Sequence, residues 1–353
     1  MKTLDLDYQL PEALIAAQPA ERRDGARLLI VDGDELHDSS VEALGSLIPD
    51  GALLVLNDTR VRRARVFGAR RGSGGRIEVL FTRRLASPSG DDGRERWEAI
   101  GRSSKPLRPG TVIEWDEIEI EVLDKSSDAT LLVAVASGGR DFESILEERG
   151  HLPLPPYMRR SDELADLERY QTVYARRTAS AAAPTAGLHL TPGLFERLRE
   201  RNVEIGRLEL EIGLGTFRPV TAQDLDDHPM HAETLEVSAE LALAVGRARE
   251  RGAPVVAVGT TVVRALESAA DAARPGHVRP FRGETRLLIQ PGYRFQIVDA
   301  LLTNFHVPQS TLLALVSAFA GHEAVMAAYR HAVAARYRFL SYGDAMWIPK
   351  RRA

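Results

Sequence analysis

Four short segments of this 353-residue chain combine the residue types that hold and transform a polar small molecule. Each segment follows an apolar run, contains small residues with Thr or His, and precedes a stretch of helical character. Small residues let the backbone approach a ligand, hydroxyls form hydrogen bonds, and a following helix offers its positive N-terminus. This pattern predicts the edge of a sheet that holds a nucleoside. The segments are Ala183–His189, Gly213–Phe217, Val258–Arg264 and Asp299–His306.

Two histidines in these segments are candidates for proton transfer. His189 and His306 each precede a predicted helix, whose N-terminus favours the neutral imidazole that accepts a proton at neutral pH. A loop histidine more often makes a structural hydrogen bond, so the residue type does not by itself assign a catalytic role.

A Gly-Thr-Thr sequence joins the predicted strand Val255–Val258 to a predicted helix. The hydroxyls of Thr260 and Thr261 and the backbone amides suit a ribose or a carboxylate. Arg264, one turn further on, is a candidate for the same site. The alternative is an ion pair between Arg264 and Glu267 on the helix surface, worth a few tenths of a kcal/mol.

Composition excludes several classes of protein. With no cysteine, the chain has no disulfide, thiolate nucleophile or iron–sulfur cluster, and a reducing cytoplasm is the expected location. The longest apolar run, at 312–320, is far shorter than the roughly 20 residues of a membrane span. We expect no membrane association, and the sequence indicates no oligomeric state.

The net charge of −4 hides a local excess of cations. Residues 60–110 carry a net charge of +9, whereas residues 111–150 carry −8. A local basic patch attracts phosphates even when the total charge is negative. Arg62, Arg63 and Arg65 are therefore predicted to bind RNA. The alternative is an Arg-rich surface without a partner.

The order of predicted elements indicates two domains. Short alternating runs separated by Gly, Pro and Ser fill residues 61–154 and predict an inserted all-β domain, basic in its first half. Alternating strands and helices in 1–60 and 155–353 predict an α/β domain with a mainly parallel sheet. Thr191, Ser238 and Ser310 are predicted to cap helices.

Two other site classes have weak support. His228, His231 and Glu233 are zinc-compatible ligands, but Pro229 keeps a regular helix from presenting both imidazoles on one face, so no metal site is predicted. The run from Glu211 to Thr216 is similar to the acidic, Gly-rich loop of methyltransferases. Pro219 disfavours the helix that should follow that loop.

Taken in order, the four segments resemble the S-adenosylmethionine:tRNA ribosyltransferase-isomerases of queuosine biosynthesis. The similarity extends from the Tyr8–Glu12 motif to the Ser341–Met346 motif, nearly end to end. That family usually has His where Glu211 stands, which puts a role for this side chain in doubt. The resemblance implies a large α/β domain interrupted by a six-stranded β-barrel.

The resemblance also implies the reaction. The ribosyl moiety of S-adenosylmethionine is transferred to 7-aminomethyl-7-deazaguanine at the tRNA wobble position and isomerised, giving epoxyqueuosine-tRNA, adenine and methionine. S-adenosylmethionine is a substrate, and no cofactor or metal is expected. The base and the acid come from His189, His306, Asp58 and Asp299, without an assignment between them. The expected substrate-binding residues are Arg60, Tyr170, Thr185, Thr216, Thr260, Thr261, Arg264 and Asn304.

The sequence leaves two alternatives open: an S-adenosylmethionine-dependent methyltransferase, and a non-catalytic RNA-binding protein on the same fold. Their products distinguish them, because a methyltransferase yields S-adenosylhomocysteine and a binding protein consumes nothing.

Overall fold

We describe the protein from a computed structural model that covers residues 1–85, 93–126, 129–212 and 220–352, without the side chains of Thr178 and Ala179. The strands are β1 (Arg27–Asp32), β2 (Glu35–Ser40), β3 (Leu53–Asn57), β4 (Thr59–Val61), β5 (Arg65–Arg70), β6 (Arg76–Arg84), β7 (Glu95–Ser103), β8 (Val112–Trp115), β9 (Ile118–Lys125), β10 (Thr130–Ala136), β11 (Arg177–Ser180), β12 (Glu204–Leu210), β13 (Glu233–Val237), β14 (Val255–Val258), β15 (Phe281–Thr285), β16 (Ala300–Asn304) and β17 (Ala345–Ile348). The α-helices are α1 (Leu44–Leu47), α2 (Phe142–Arg149), α3 (Leu164–Arg169), α4 (Pro192–Glu200), α5 (Ala239–Glu250), α6 (Thr260–Ser268), α7 (Thr311–Ala320) and α8 (His322–Ala334).

Nine strands form one mixed sheet in the order β15-β13-β12-β3-β14-β16-β17-β1-β2. Its central strands β12, β3, β14 and β16 are parallel, with Leu54 of β3 opposite Ile205 of β12 and Val256 of β14. The α/β fold is thus confirmed. The pairs β13/β15, β12/β13, β16/β17 and β1/β2 are antiparallel, whereas β17 and β1 are again parallel.

Helices cover both faces of this sheet, which explains its continuous apolar strands. Leu53 and Val55 of β3 point into the larger cluster, together with apolar side chains of α5, α6, α7 and α8. Leu54 and Leu56 point the other way, into the cluster that includes residues of α1 and α4. Strand β3 is fully buried as a result.

The predicted inserted barrel is present. Its six antiparallel strands close in the order β10-β7-β6-β5-β8-β9. Alternate side chains fill the interior, where Trp97 and Phe81 meet edge to face. Helix α2 packs Phe142 against both rings, with Asp141 accepting the Ser144 amide as its N-cap.

The predicted helix starts are also confirmed. The side chains of Thr191, Ser238 and Ser310 each accept a hydrogen bond from a backbone amide in the first turn of α4, α5 and α7, respectively, and Pro192 is the first residue of α4.

In the described part of the chain, no single helix is long and apolar enough to cross a membrane. Helices α7 and α8, which are bent by 115° relative to each other, have the length and composition of a membrane span only when they are taken together.

Candidate active site

Three of the four predicted segments meet in one pocket at the carboxyl edge of the central strands. Strand β14 leads into Gly259, β16 ends at Asn304, and the 3-10 turn Thr185–His189 packs beside them. The pocket encloses about 630 Å³, part of it open to solvent. Five predicted site residues line it: Thr185, Thr260, Thr261, Asn304 and His306.

The first turn of α6 forms one wall of the pocket. Gly259 has φ +94°, a conformation that side chains rarely adopt, and it turns β14 directly into the helix. Thr260 and Thr261 are the first two helical residues, and both are buried. Among the described residues no side chain caps this helix, so its N-terminal amides are available to a ligand at the positive end of the dipole.

His306 is held from three sides. Its Nε2 lies 2.9 Å from the Thr303 hydroxyl, its backbone N–H donates to the Tyr329 hydroxyl, and its carbonyl accepts from Tyr8. Burial lowers the pKa of His306 to about 3, so the imidazole is neutral at pH 7. The reason differs from the prediction: α7 begins only at Thr311, and burial, not a helix N-terminus, lowers the pKa.

His189 does not line this pocket. It lies at the end of the 3-10 turn, buried, with Nε2 at 3.3 Å from Nδ2 of Asn304. Burial lowers the pKa of His189 to about 4, and the Arg23 and Arg338 cations act in the same direction. Oδ1 of Asn304 is buried without a partner in the described structure. His189 therefore reaches the pocket through Asn304.

The two carboxylate candidates lie in different places. Asp58 follows β3 at the carboxyl edge of the sheet, where burial raises the pKa of its side chain despite Arg176, 3.9 Å away. Asp299 precedes β16 at the opposite edge, pairs with Arg249 at 2.5 Å and accepts the Val255 amide. The expectation that Asp299 serves as the catalytic base or acid is therefore corrected, because the length of β16 separates Asp299 from the pocket.

Arg264 has a partner inside the protein. It is buried, forms a short ion pair with Glu233 of β13, and donates from Nε to the Leu287 carbonyl. Glu267 instead accepts the amides of Ile297 and Val298. Among the described residues Arg264 does not line the pocket, and the alternative surface pair of Arg264 with Glu267 is absent.

Two further expected binding residues lie away from the pocket. Arg60 pairs with Glu147 of α2 at 3.1 Å on the surface. Tyr170 is fully buried in an apolar cluster, edge to face with Tyr342, so its ring offers no face to a base. Tyr174 is also buried. Its hydroxyl lies so close to Gly187 that a Cβ atom at that position would come within 2.0 Å of it.

The three arginines predicted to bind RNA make contacts within the protein. Arg62 pairs with Glu143 of α2 at 2.5 Å. Arg63 donates to the carbonyls of Glu147 and Gly150. Arg65 pairs with Glu78 at 3.2 Å and donates to the Leu154 carbonyl.

The basic and acidic stretches of the insert largely pair with each other. Barrel closure places strands from 60–110 beside strands and a helix from 111–150. A surface pair of this kind is worth about 0–1 kcal/mol, but it removes the local excess of charge. The pairs include Arg71 with Glu114 and Glu119, Arg84 with Asp141, and Arg94 with Glu121.

The segment Gly213–Phe217, with Thr216, lies outside the described residues. Glu211, just before it, donates its amide to the Thr234 carbonyl, and burial raises the pKa of its carboxyl. Its neighbour Ile212 lines the pocket.

Three pocket residues with polar side chains are not among the predicted site residues: Tyr157, Thr303 and Ser341. The Tyr157 hydroxyl lies 2.5 Å from that of Ser341. The sequence contained a signal for two of them, since Thr303 belongs to the segment Asp299–His306 and Ser341 is the first residue of the Ser341–Met346 motif. Across the described ranges, no three His, Asp or Glu side chains are grouped to hold a metal ion.

Comparison with known proteins gives one consistent family. The model of the "Queuosine biosynthesis protein" family matches residues 3–348. The S-adenosylmethionine:tRNA ribosyltransferase-isomerase of Sorangium cellulosum is 54% identical, over 97% of both chains. That of Acidithiobacillus ferrooxidans is 50% identical, over 99% of this chain and 98% of its own. The crystal structure of an S-adenosylmethionine tRNA ribosyltransferase from Thermotoga maritima is 32% identical, with a TM-score of 0.55 and coverage of 98% and 99%.

Proposed function

This chain belongs to the queuosine biosynthesis protein family, and on that premise we propose how its pocket carries out the family reaction. Its activity is that of an S-adenosylmethionine:tRNA ribosyltransferase-isomerase. The acceptor we propose is 7-aminomethyl-7-deazaguanine at the wobble position of tRNA. The products are then epoxyqueuosine-tRNA, adenine and methionine.

One observation supports the location of this chemistry: segments more than 100 residues apart in sequence meet at the N-terminus of α6. S-adenosylmethionine carries a carboxylate and a ribose, and the uncapped amides of α6 with the Thr260 and Thr261 hydroxyls suit either group. The buried Oδ1 of Asn304 provides an acceptor for an N–H group of the same substrate.

We assign the base to His306. The positive sulfonium of S-adenosylmethionine acidifies the adjacent ribose C5′–H, and a neutral imidazole in the pocket accepts that proton. Of the described histidines, His306 is the one that lines the pocket, and burial keeps its ring unprotonated. The contact between Thr303 and Nε2 orients the ring. The low pKa makes His306 a modest base. Proton removal therefore also depends on the acidity that the sulfonium gives to the C5′–H.

Product analysis tests the proposal. The purified protein is incubated with S-adenosylmethionine and tRNA bearing the precursor base, and small molecules are separated by liquid chromatography. Stoichiometric adenine and methionine support the transferase. S-adenosylhomocysteine would indicate a methyltransferase, and intact S-adenosylmethionine beside bound tRNA would indicate a binding protein.

A further inference from the structure

We propose that a groove between the barrel and the segment 154–161 binds the phosphates of the tRNA strand that enters the pocket. The barrel groove is defined by Arg65, Phe67, Arg76, Arg102, Arg159 and Arg160. It encloses about 1100 Å³, including space open to solvent. The inference rests on the proposed function for the identity of the RNA.

The charges of the groove favour a polyanion. Five arginines surround one carboxylate, that of Glu78. Glu78 lies opposite Arg102 in the register of β6 and β7, but its ion pair at 3.2 Å is with Arg65. Arg160 is held by two bonds to the buried Asp166, at 2.6 and 2.8 Å.

Arg76 and Arg102 are the cations that remain for a ligand. Both are exposed, and among the described residues neither has an acidic partner within ion-pair distance. Arg159 adds a third exposed guanidinium, whose pair with Glu12 is solvent-accessible on both sides. Exposed pairs of this kind exchange readily for a phosphate because they contribute about 0–1 kcal/mol.

An aromatic ring lies among these cations. The guanidinium carbon of Arg76 is 4.7 Å from the centre of the Phe67 ring, and the ring is half-buried. The His151 ring also packs against Phe67, with the ring centres 5.2 Å apart, so Phe67 contributes by holding the Arg76 guanidinium in the groove. The groove therefore suits an RNA strand with its phosphates on the arginines.

The position of the groove connects it to the chemistry. The 3-10 turn Pro156–Met158 contributes Pro156 to the groove and Tyr157 to the pocket. One turn of backbone thus separates the two sites. A strand lying in the groove has a neighbouring nucleotide within reach of the pocket.

The test compares two double variants of the full-length protein. Arg76→Ala with Arg102→Ala removes the unpaired cations. Arg140→Ala with Arg149→Ala removes the same charge from exposed arginines of the insert that pair with Glu148 and Glu117. Affinity for tRNA is measured by fluorescence anisotropy from 50 to 300 mM salt, and S-adenosylmethionine binding by calorimetry.

We expect the groove variant to lose about 10-fold or more in tRNA affinity. Its log–log salt slope should flatten by about 1.4 to 1.8, since each phosphate contact contributes roughly 0.7 to 0.9. The control variant should change tRNA affinity less than about 2-fold, and both should bind S-adenosylmethionine normally.

Equal losses in the two variants would show that total charge matters and the groove does not, and an unchanged groove variant would overturn the proposal. Failure of the proposed function is distinguishable, because the unsubstituted protein would then release no adenine from S-adenosylmethionine in the presence of tRNA.

Discussion

Nε2 of His189 lies 3.3 Å from Nδ2 of Asn304, although only Asn304 lines the pocket. The same amide group is within 3.3 Å of the Leu340 carbonyl, so three segments determine its orientation. With Nδ2 engaged in this way, Oδ1 is the atom that has no partner within the described ranges of the chain. On this basis we propose that His189 is a positioning residue and that Asn304 is the residue that contacts the substrate.

The first prediction follows from this contact. Asn304→Ala and His189→Ala should each lower kcat/KM about 10-fold or more, and the double variant should lose little beyond the larger single effect, because both remove one interaction. His189→Gln, whose amide can accept from Asn304, should recover part of the activity. Fully additive losses, measured in a double-mutant cycle, would show that His189 and Asn304 contribute to activity independently of each other.

The second prediction concerns proton abstraction by His306. His306→Ala should lower kcat about 100-fold or more, a typical contribution of a general base. It should also abolish exchange of deuterium from solvent into C5′ of S-adenosylmethionine, followed by NMR. If the variant retains rate and exchange, Asp58, with its raised pKa at the same sheet edge, becomes the residue to substitute.

The third prediction concerns the first turn of α6. Thr260→Ala with Thr261→Ala should reduce turnover at least about 10-fold by removing hydrogen bonds to substrate, with the melting temperature nearly unchanged. The Thr→Ser pair at the same positions keeps the hydroxyls and should remain active. Normal turnover in the alanine variant would show that the hydroxyls of this turn do not bind the substrate.

The fourth prediction is a pH dependence of stability. Burial holds the pKa of His189 near 4 and that of His306 near 3, whereas the unfolded chain titrates near 6.5. As pH falls below about 6.5, the unfolded state binds protons that the folded state does not, so the free energy of unfolding decreases by up to about 1.4 kcal/mol per pH unit for each histidine. The loss continues to about pH 4 for His189 and about pH 3 for His306.

Urea unfolding at pH 7, 6 and 5 measures this effect. His306→Gln should show a smaller loss between pH 7 and 5 than the unsubstituted protein. Parallel curves for the two proteins would mean that His306 titrates normally in the fold.

The fifth prediction concerns the buried pair of Arg264 and Glu233. Arg264→Met leaves a buried carboxylate without its cation and should cost about 3–5 kcal/mol of stability by denaturant unfolding. As a control, Arg282→Ala removes an exposed cation 3.9 Å from Glu236 and should cost less than about 1 kcal/mol. A stable Arg264 variant that fails to bind S-adenosylmethionine would support the prediction that Arg264 contacts the substrate.

The sequence by itself determined the architecture and the centre of the pocket. Apolar runs such as that of β3, caps such as Ser310, and the Gly-Thr-Thr turn are local signals, and each specifies its element through backbone and side-chain preferences within a few residues. Because parallel strands end at one edge of a sheet, Thr260, Asn304 and His306 had to meet there.

Only the tertiary structure decided which side of the sheet and which partner each charged or aromatic residue would have. Asp299 is five residues from Asn304, but a strand rises about 3.3 Å per residue, so the two lie at opposite edges. Arg62 and Arg65 read as a basic patch in sequence, whereas barrel closure brings Glu143 and Glu78 against them. Charge partners and burial depend on contacts between distant segments, which the linear order of residues does not record.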